Sequence, residues 1–335
     1  MRVILLSLLL SVCLACSDGD SGSGGASGIG GDAGSGGAVG GSGGGPGGTG
    51  GTFVPPPGSF SVKWGPVEVP SARESTQCVV KRLGNTETVS IHEIHNVLGT
   101  TSHHFIVYRV DDTTERPDPY PCQPFTDTLN DPPLIITQRA DDRLTLPDGV
   151  AYTIEPNQML RLELHYINPS AAPQMAEATS TFIPMPSEEV DYEADIMFLG
   201  DTNINIPARS TATLGPTFIQ VPARFAGVSY FAITGHEHQW GTNVYVEAAA
   251  SADAEGVPVY DVPVFRWDEP ETITYDPPFT IPDGGGFNLT CEWNNLSGSP
   301  VGFGTSVENE MCFIWAYYYP SQGALVCANG LFPCN

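Results

Sequence analysis

Eight short runs rich in β-branched and aromatic residues recur along the chain, at 88–97, 103–110, 158–167, 194–198, 225–235, 242–248, 287–292 and 311–319, separated by clusters of Pro, Gly, Asn and Asp. Runs of this length and composition, bounded by turn formers, predict strands. No stretch of twelve or more residues sustains apolar positions at 3.6-residue spacing, and 30 prolines are spread along the chain, which excludes a helical core. The expected fold class is therefore all-β, with two antiparallel β-sandwich domains. The pattern breaks at Pro184-Met185-Pro186-Ser187-Glu188-Glu189, so the seam is expected within 184–201, giving a first domain over 59–192 and a second over 193–335.

The first sixth of the chain follows a different pattern. Met1-Arg2, an apolar run over 3–10 and the ending Cys13-Leu14-Ala15-Cys16 read as a secretory signal peptide over 1–16, too short to span a bilayer. Leu14-Ala15-Cys16 looks like a bacterial lipoprotein signal, in which Cys16 would be lipidated; Cys13 stands where such signals prefer Leu, so plain secretion stays open. The expected localisation is export to the cell envelope, lipid-anchored or secreted, with membrane contact only through a lipid anchor. Of the 38 glycines, 19 lie within 17–52, and such a composition buries no core. Residues 17–58 are expected to be a disordered Gly/Ser-rich linker reaching roughly 30 Å at about 5–6 Å × √n.

With 13 Lys+Arg against 38 Asp+Glu, the net charge is −25, which excludes a nucleic-acid partner because nothing neutralises phosphates. Beyond Cys13 and Cys16 the cysteines are Cys78, Cys122, Cys291, Cys312, Cys327 and Cys334. An even number in an exported chain, with no CxxC pair, points to disulfides rather than to a thiol active site or a zinc ribbon.

The seven histidines are His92, His95, His103, His104, His165, His236 and His238. In Gly235-His236-Glu237-His238, positions i and i+2 of an extended segment share a face, so both imidazoles could hold one metal ion. Such a pair also occurs as a surface feature. His103 and His104, as neighbours on a regular strand, point to opposite faces and could share an ion only with a bulge or twist there. Leu162-Glu163-Leu164-His165-Tyr166 puts His165 and Glu163 on one face. Each histidine taken singly reads equally as a hydrogen-bonded core residue. Met311, in Asn309-Glu310-Met311-Cys312 at the head of an aromatic strand, taken alone reads as core packing. Taken together, imidazoles beside a thioether suit copper, because sulfur is a soft ligand for Cu(I) and a poor one for zinc. His92 and His95 have no assigned counterpart and read as loop or surface residues, with a supporting role near the metal as the alternative.

The order Ser102-His103-His104-Phe105, Glu163-Leu164-His165-Tyr166, His236-Glu237-His238, Cys291, Glu310-Met311-Cys312 and Tyr318-Tyr319-Pro320 resembles the copper type II, ascorbate-dependent monooxygenase family, which includes dopamine β-monooxygenase and peptidylglycine α-hydroxylating monooxygenase. The resemblance runs over 67–327. It implies two jelly-roll-like sandwiches, each with one copper, facing each other across a cleft. It implies an electron-transfer copper on His103, His104 and His165, and a catalytic copper on His236, His238 and Met311, where O2 and an organic substrate meet. It also implies ascorbate as reductant and a Cys291–Cys312 disulfide beside the methionine. Proximity in sequence favours Cys78 with Cys122 and Cys327 with Cys334.

Peptide-amidating members carry an Arg two residues before the HxH pair, an Asn two after the Met and a Tyr four after it. Here Thr234, Phe313 and Trp315 occupy those positions, so a carboxylate clamp is not expected and these three become the substrate-pocket candidates. The function implied is hydroxylation of a C–H bond of a small organic molecule. The alternative is a surface lipoprotein that binds copper without turnover. Substrate identity, physiological reductant and oligomeric state stay open.

Overall fold

The computed structural model describes residues 53–125, 131–332 and 334. The signal peptide, Cys16 and the linker as far as residue 52 lie outside the described residues. The described chain is all-β, with two single-turn 3-10 segments, Ser187–Glu189 and Ala223–Phe225, and no α-helix.

Five sheets form. One runs, in neighbour order, through Phe60–Val69, Gln174–Met185, Val89–Leu98, Val150–Ile154 and Tyr192–Glu193, with Asp141–Thr145 also paired to Val89–Leu98. A second orders Arg116–Pro121, Arg73–Arg82, Met159–Asn168, Ser102–Val110 and Pro133–Thr137. These two make the first sandwich. Strands beyond it make the second: a sheet of Thr272–Thr280, Ser229–His236, Phe313–Tyr319, Asp195–Asp201 and Leu325–Asn329, and one of Ser210–Gln220, Gly286–Asn295, Gly241–Ala249 and Val257–Asp261. Asn205–Ile206 and Val301–Gly302 form a small pair at its side. The chain passes from one sandwich to the other between Glu193 and Asp195.

The burial pattern explains why some strands are continuous apolar runs. Along Phe313–Tyr319 all residues but the last are buried, and along Asp195–Asp201 all are. Their alternate residues serve two cores. Met197, Leu199, Ile314, Ala316 and Tyr318 pack inside the second sandwich, whereas Ile196, Phe198, Phe313, Trp315 and Tyr317 join the apolar cluster of the first. A sheet covered on both faces loses the polar alternation of a half-exposed one, and here the covering layer is the other sandwich. Tyr317 marks the contact, its hydroxyl accepting the Ile136 N–H at 3.2 Å. Gly200 is needed for this packing: a Cβ there would lie 2.2 Å from the ring of Phe313 on the neighbouring strand.

Among the described residues there are three disulfides, Cys78–Cys122, Cys291–Cys312 and Cys327–Cys334. The second joins the strand Gly286–Asn295 to the residue after Met311, tying the head of the aromatic strand to the opposite sheet.

Candidate metal centres

The strand Ser102–Val110 pairs antiparallel with Met159–Asn168, and the register slips between Ser102 and His104. Ser102 lies opposite Tyr166 and His104 opposite His165, so His103 is the extra residue of a bulge. A bulge re-aims its side chains, and here it lets consecutive imidazoles turn to one side. The three rings gather with centroids 5.8 Å (His103–His104), 5.2 Å (His103–His165) and 4.7 Å (His104–His165) apart. One nitrogen from each lies within 4.8 Å of the others.

Their hydrogen bonding is incomplete in a specific way. His165 Nε2 is 2.9 Å from Glu74 Oε1, which leaves Nδ1 buried without a hydrogen-bond partner among the described residues. Both ring nitrogens of His103 and of His104 are buried in the same condition, with Glu163 Oε1 3.7 Å from His104 Nε2. Burial removes protons from these rings: the His103 pKa falls to about 3, and that of His104 lies well below the usual imidazole value, desolvation being the main cause and the neighbouring imidazoles the next. Imidazoles with unshared lone pairs, gathered in one small volume, are an arrangement that could hold a metal ion. Glu74, held low chiefly by its bond with His165, orients that ring.

In the second sandwich His236 ends the strand Ser229–His236 and lies opposite Phe313. His236 Nδ1 is 2.9 Å from Gln138 Oε1, on the first sandwich, and Nε2 is buried and unpartnered. His238 Nδ1 is 3.1 Å from the Asn309 carbonyl, so its Nε2 is the nitrogen left to bind. The two rings are 5.1 Å apart between centroids. Desolvation lowers the His238 pKa to about 4 and that of His236 well below normal. Met311 is 3% exposed and follows Glu310, whose buried carboxylate accepts three donors: the His238 N–H at 2.9 Å and the Trp240 N–H at 2.7 Å of this turn, and the Trp293 indole N–H at 3.0 Å from the strand Gly286–Asn295. Glu310 thus binds the HxH turn to the segment that carries Met311. Desolvation raises its pKa to about 7 despite those bonds.

The two clusters face each other across the junction of the sandwiches. The ring of Phe125 lies between them, 5.2 Å from His104 and 5.9 Å from His236; its φ of 57° is in the left-handed region, strain that a bulky residue bears only where its surroundings impose it. Trp267, from the second sandwich, covers His103 at 5.4 Å. The Val307 N–H reaches Glu74 Oε1 at 3.5 Å.

Residues 192–333 match the family model described as the C-terminal domain of copper type II ascorbate-dependent monooxygenases. This segment belongs to that domain family. The family consists of copper- and ascorbate-dependent oxidoreductases, and its matched domain contains His236, His238 and Met311 and the two sheets that carry them. No curated protein matches the chain. Among solved structures, the major capsid protein P2 of Bacteriophage PM2 aligns at 9% identity over 79% of this chain and 99% of that one, with a TM-score of 0.32. PNGase F, a glycosylasparaginase from Flavobacterium meningosepticum, aligns at 11% identity over 80% and 97%, with a TM-score of 0.34. Both superpositions are too loose to bear on fold or chemistry.

Of the pocket candidates, Phe313 lines an apolar cavity beside Met311. Thr234 is bonded through its hydroxyl to that of Thr272 at 2.7 Å, and Trp315 is packed between His236, 5.7 Å away, and Phe198; neither lines that cavity. His92 and His95 lie on Val89–Leu98 in the outer sheet of the first sandwich and join neither cluster. His95 Nε2 is 2.7 Å from Asp141 and its ring meets Phe53 edge-on; His92 Nδ1 is 3.3 Å from the Val150 carbonyl. Sequence reasoning did not find Glu74, Phe125, Gln138 or Trp267, which reach the clusters from segments with no motif of their own. Glu310 stood inside the quoted motif but carried no assigned task.

Proposed function

We propose that this chain is an exported, lipid-anchored copper monooxygenase that hydroxylates a C–H bond of an organic substrate, using O2 and a one-electron donor such as ascorbate. One observation carries the reading: buried imidazoles in both sandwiches turn unpartnered nitrogens toward the same junction. A buried polar atom left without a partner costs about 1–3 kcal/mol, and a bound metal ion removes that penalty at several atoms at once. The donor types fit copper: three imidazoles gathered in one place, and in the other two imidazoles tied through His238 to the segment that leads into Met311.

In this reading His103, His104 and His165 hold the copper that passes electrons, while His236, His238 and Met311 hold the copper at the substrate. When bound, copper supplies one-electron storage and the activation of O2. The protein supplies the rest. Glu74, Gln138 and the Asn309 carbonyl each accept one ring N–H, which fixes the tautomer and aims the opposite nitrogen at the metal. Glu310 holds the HxH turn, and the Phe125 ring stands between the two clusters. In the net reaction C–H becomes C–OH, the second oxygen atom leaves as water, and two electrons and two protons come from the donor and the solvent.

Reconstituted protein should hold two copper ions per chain by metal analysis, and His103→Ala should hold one and lose donor-coupled O2 consumption. A single ion in the native protein, or zinc bound tightly in preference to copper, counts against the two-site reading. Peptides ending in glycine should be poor substrates, because Thr234, Phe313 and Trp315 offer a carboxylate no cation and a buried unpaired charge is costly. Efficient hydroxylation of such a peptide would reveal a clamp built elsewhere.

A further inference from the structure

Beside Met311 residues of both sandwiches line a partly open apolar cavity of about 270 Å³. Phe125 comes from the first sandwich; Phe198, Phe313 and Met311 come from the second, and Phe332 stands at the rim, 41% exposed. Thr305 gives the one side-chain hydroxyl, and no charged side chain lines the cavity among the described residues. The rings form a continuous wall, Phe125 stacking on Phe198 at 5.4 Å and Phe198 on Phe313 at 4.9 Å.

We infer that this cavity seats the substrate and that the substrate is a neutral, hydrocarbon-like molecule, an arene or alkylarene with at most one hydrogen-bonding group, rather than an amine or a carboxylic acid. This rests on the proposed copper chemistry for which bond is oxidised, but the selection of a neutral ligand follows from the lining alone. A dry apolar cavity of about 150 Å³ already takes benzene, so the space here suits one ring with a short side chain or two fused rings. The net charge of −25 draws cations toward the protein, but that attraction is screened beyond about 8 Å at physiological salt. Inside the cavity, among the described residues, an ammonium group would leave water with no carboxylate to meet it, and a carboxylate would find no cation. Desolvation therefore outweighs steering. Met311 belongs both to this wall and to the proposed copper site, so a molecule bound here would lie against a residue that would hold that metal.

The test is calorimetric titration of the copper-free full-length chain with three probes of one shape: ethylbenzene, phenylethylamine and phenylacetate. Ethylbenzene should bind at least ten-fold tighter than either ion at neutral pH. Ala328→Leu, which fills the cavity from Leu325–Asn329, should weaken ethylbenzene ten-fold or more while the melting curve is retained. Equal or tighter binding of the amine or the acid overturns the inference, as does a folded A328L variant that binds like wild type. Should A328L not fold, Phe332→Asp at the exposed rim carries the test: a carboxylate there should reverse the order of ethylbenzene and phenylethylamine, and an unchanged order overturns the inference. Copper stoichiometry is measured separately, so loss of the metal reading with the probe order intact is distinguishable from failure of the cavity assignment.

Discussion

Met311→Ile should abolish hydroxylation while leaving the fold and the His103, His104 and His165 cluster as they are. Met311 is buried, and an apolar side chain of similar volume usually costs less than about 1.5 kcal/mol in a core, so the melting curve should move little. The adjacent Cys291–Cys312 disulfide and the hydrogen bonds of Glu310 keep the backbone in place. What is lost is the sulfur. A change in the surroundings of a metal ligand already costs about 10–100-fold, and loss of the ligand itself should cost at least roughly 100-fold in kcat/KM. X-ray absorption on the reduced, copper-loaded protein should lose its sulfur scattering, while copper at the three-histidine cluster is unchanged. Full activity in this variant would return Met311 to the core as a packing residue and remove the proposed oxygen site.

The second large effect is expected at Glu310. Glu310→Ala leaves the His238 N–H and the Trp240 N–H of the HxH turn, and the Trp293 indole of the strand Gly286–Asn295, without their acceptor, around a Glu310 that is itself 0% exposed. Unsatisfied buried donors cost about 1–3 kcal/mol each; partial access of water to the vacated space reduces the sum, so a loss of roughly 3–5 kcal/mol is expected. Denaturant unfolding should show it as a lower midpoint, and copper should leave the second site first. Glu310→Gln keeps one acceptor oxygen and should fall between the two. A shift under about 1 kcal/mol in the alanine variant, below the cost of a single orphaned donor, would mean the turn is held by the disulfide and the sheet alone.

The parts legible in the sequence are those whose signal is local. All eight apolar runs have a strand at their place; the run 311–319 is the strand Phe313–Tyr319, and 158–167 is Met159–Asn168. Phe225 is an exception within its run, falling in a 3-10 turn that precedes Ser229–His236. Strands such as Ser210–Gln220, with the sequence STATLGPTFIQ, and Thr272–Thr280, with adjacent prolines, escaped notice. Both lie at sheet edges, where half-exposed small and polar residues, and proline, are tolerated. Ligand candidates were legible because histidine spacing is a sequence property. The bulge that turns His103 beside His104 was not, since it is set by the register against Tyr166 and His165, some 60 residues along the chain. Gln138 and Glu74 were invisible for the same reason: a hydrogen bond to a distant ring leaves no trace in the residues around its donor or acceptor.

Gln138 and Phe125 have one more implication. Both come from the first sandwich, yet one aims His236 and the other walls the cavity beside Met311, so the segment recognisable as a family unit, 192–333, does not own its chemistry. The imidazole it contributes is oriented by a neighbour, and the chamber it opens is closed by a neighbour. Such a segment cannot be exchanged among unrelated proteins as a self-sufficient module; the two halves of this chain have to be inherited together, and a substitution that loosens their junction is expected to disable the proposed centre with His236, His238 and Met311 untouched.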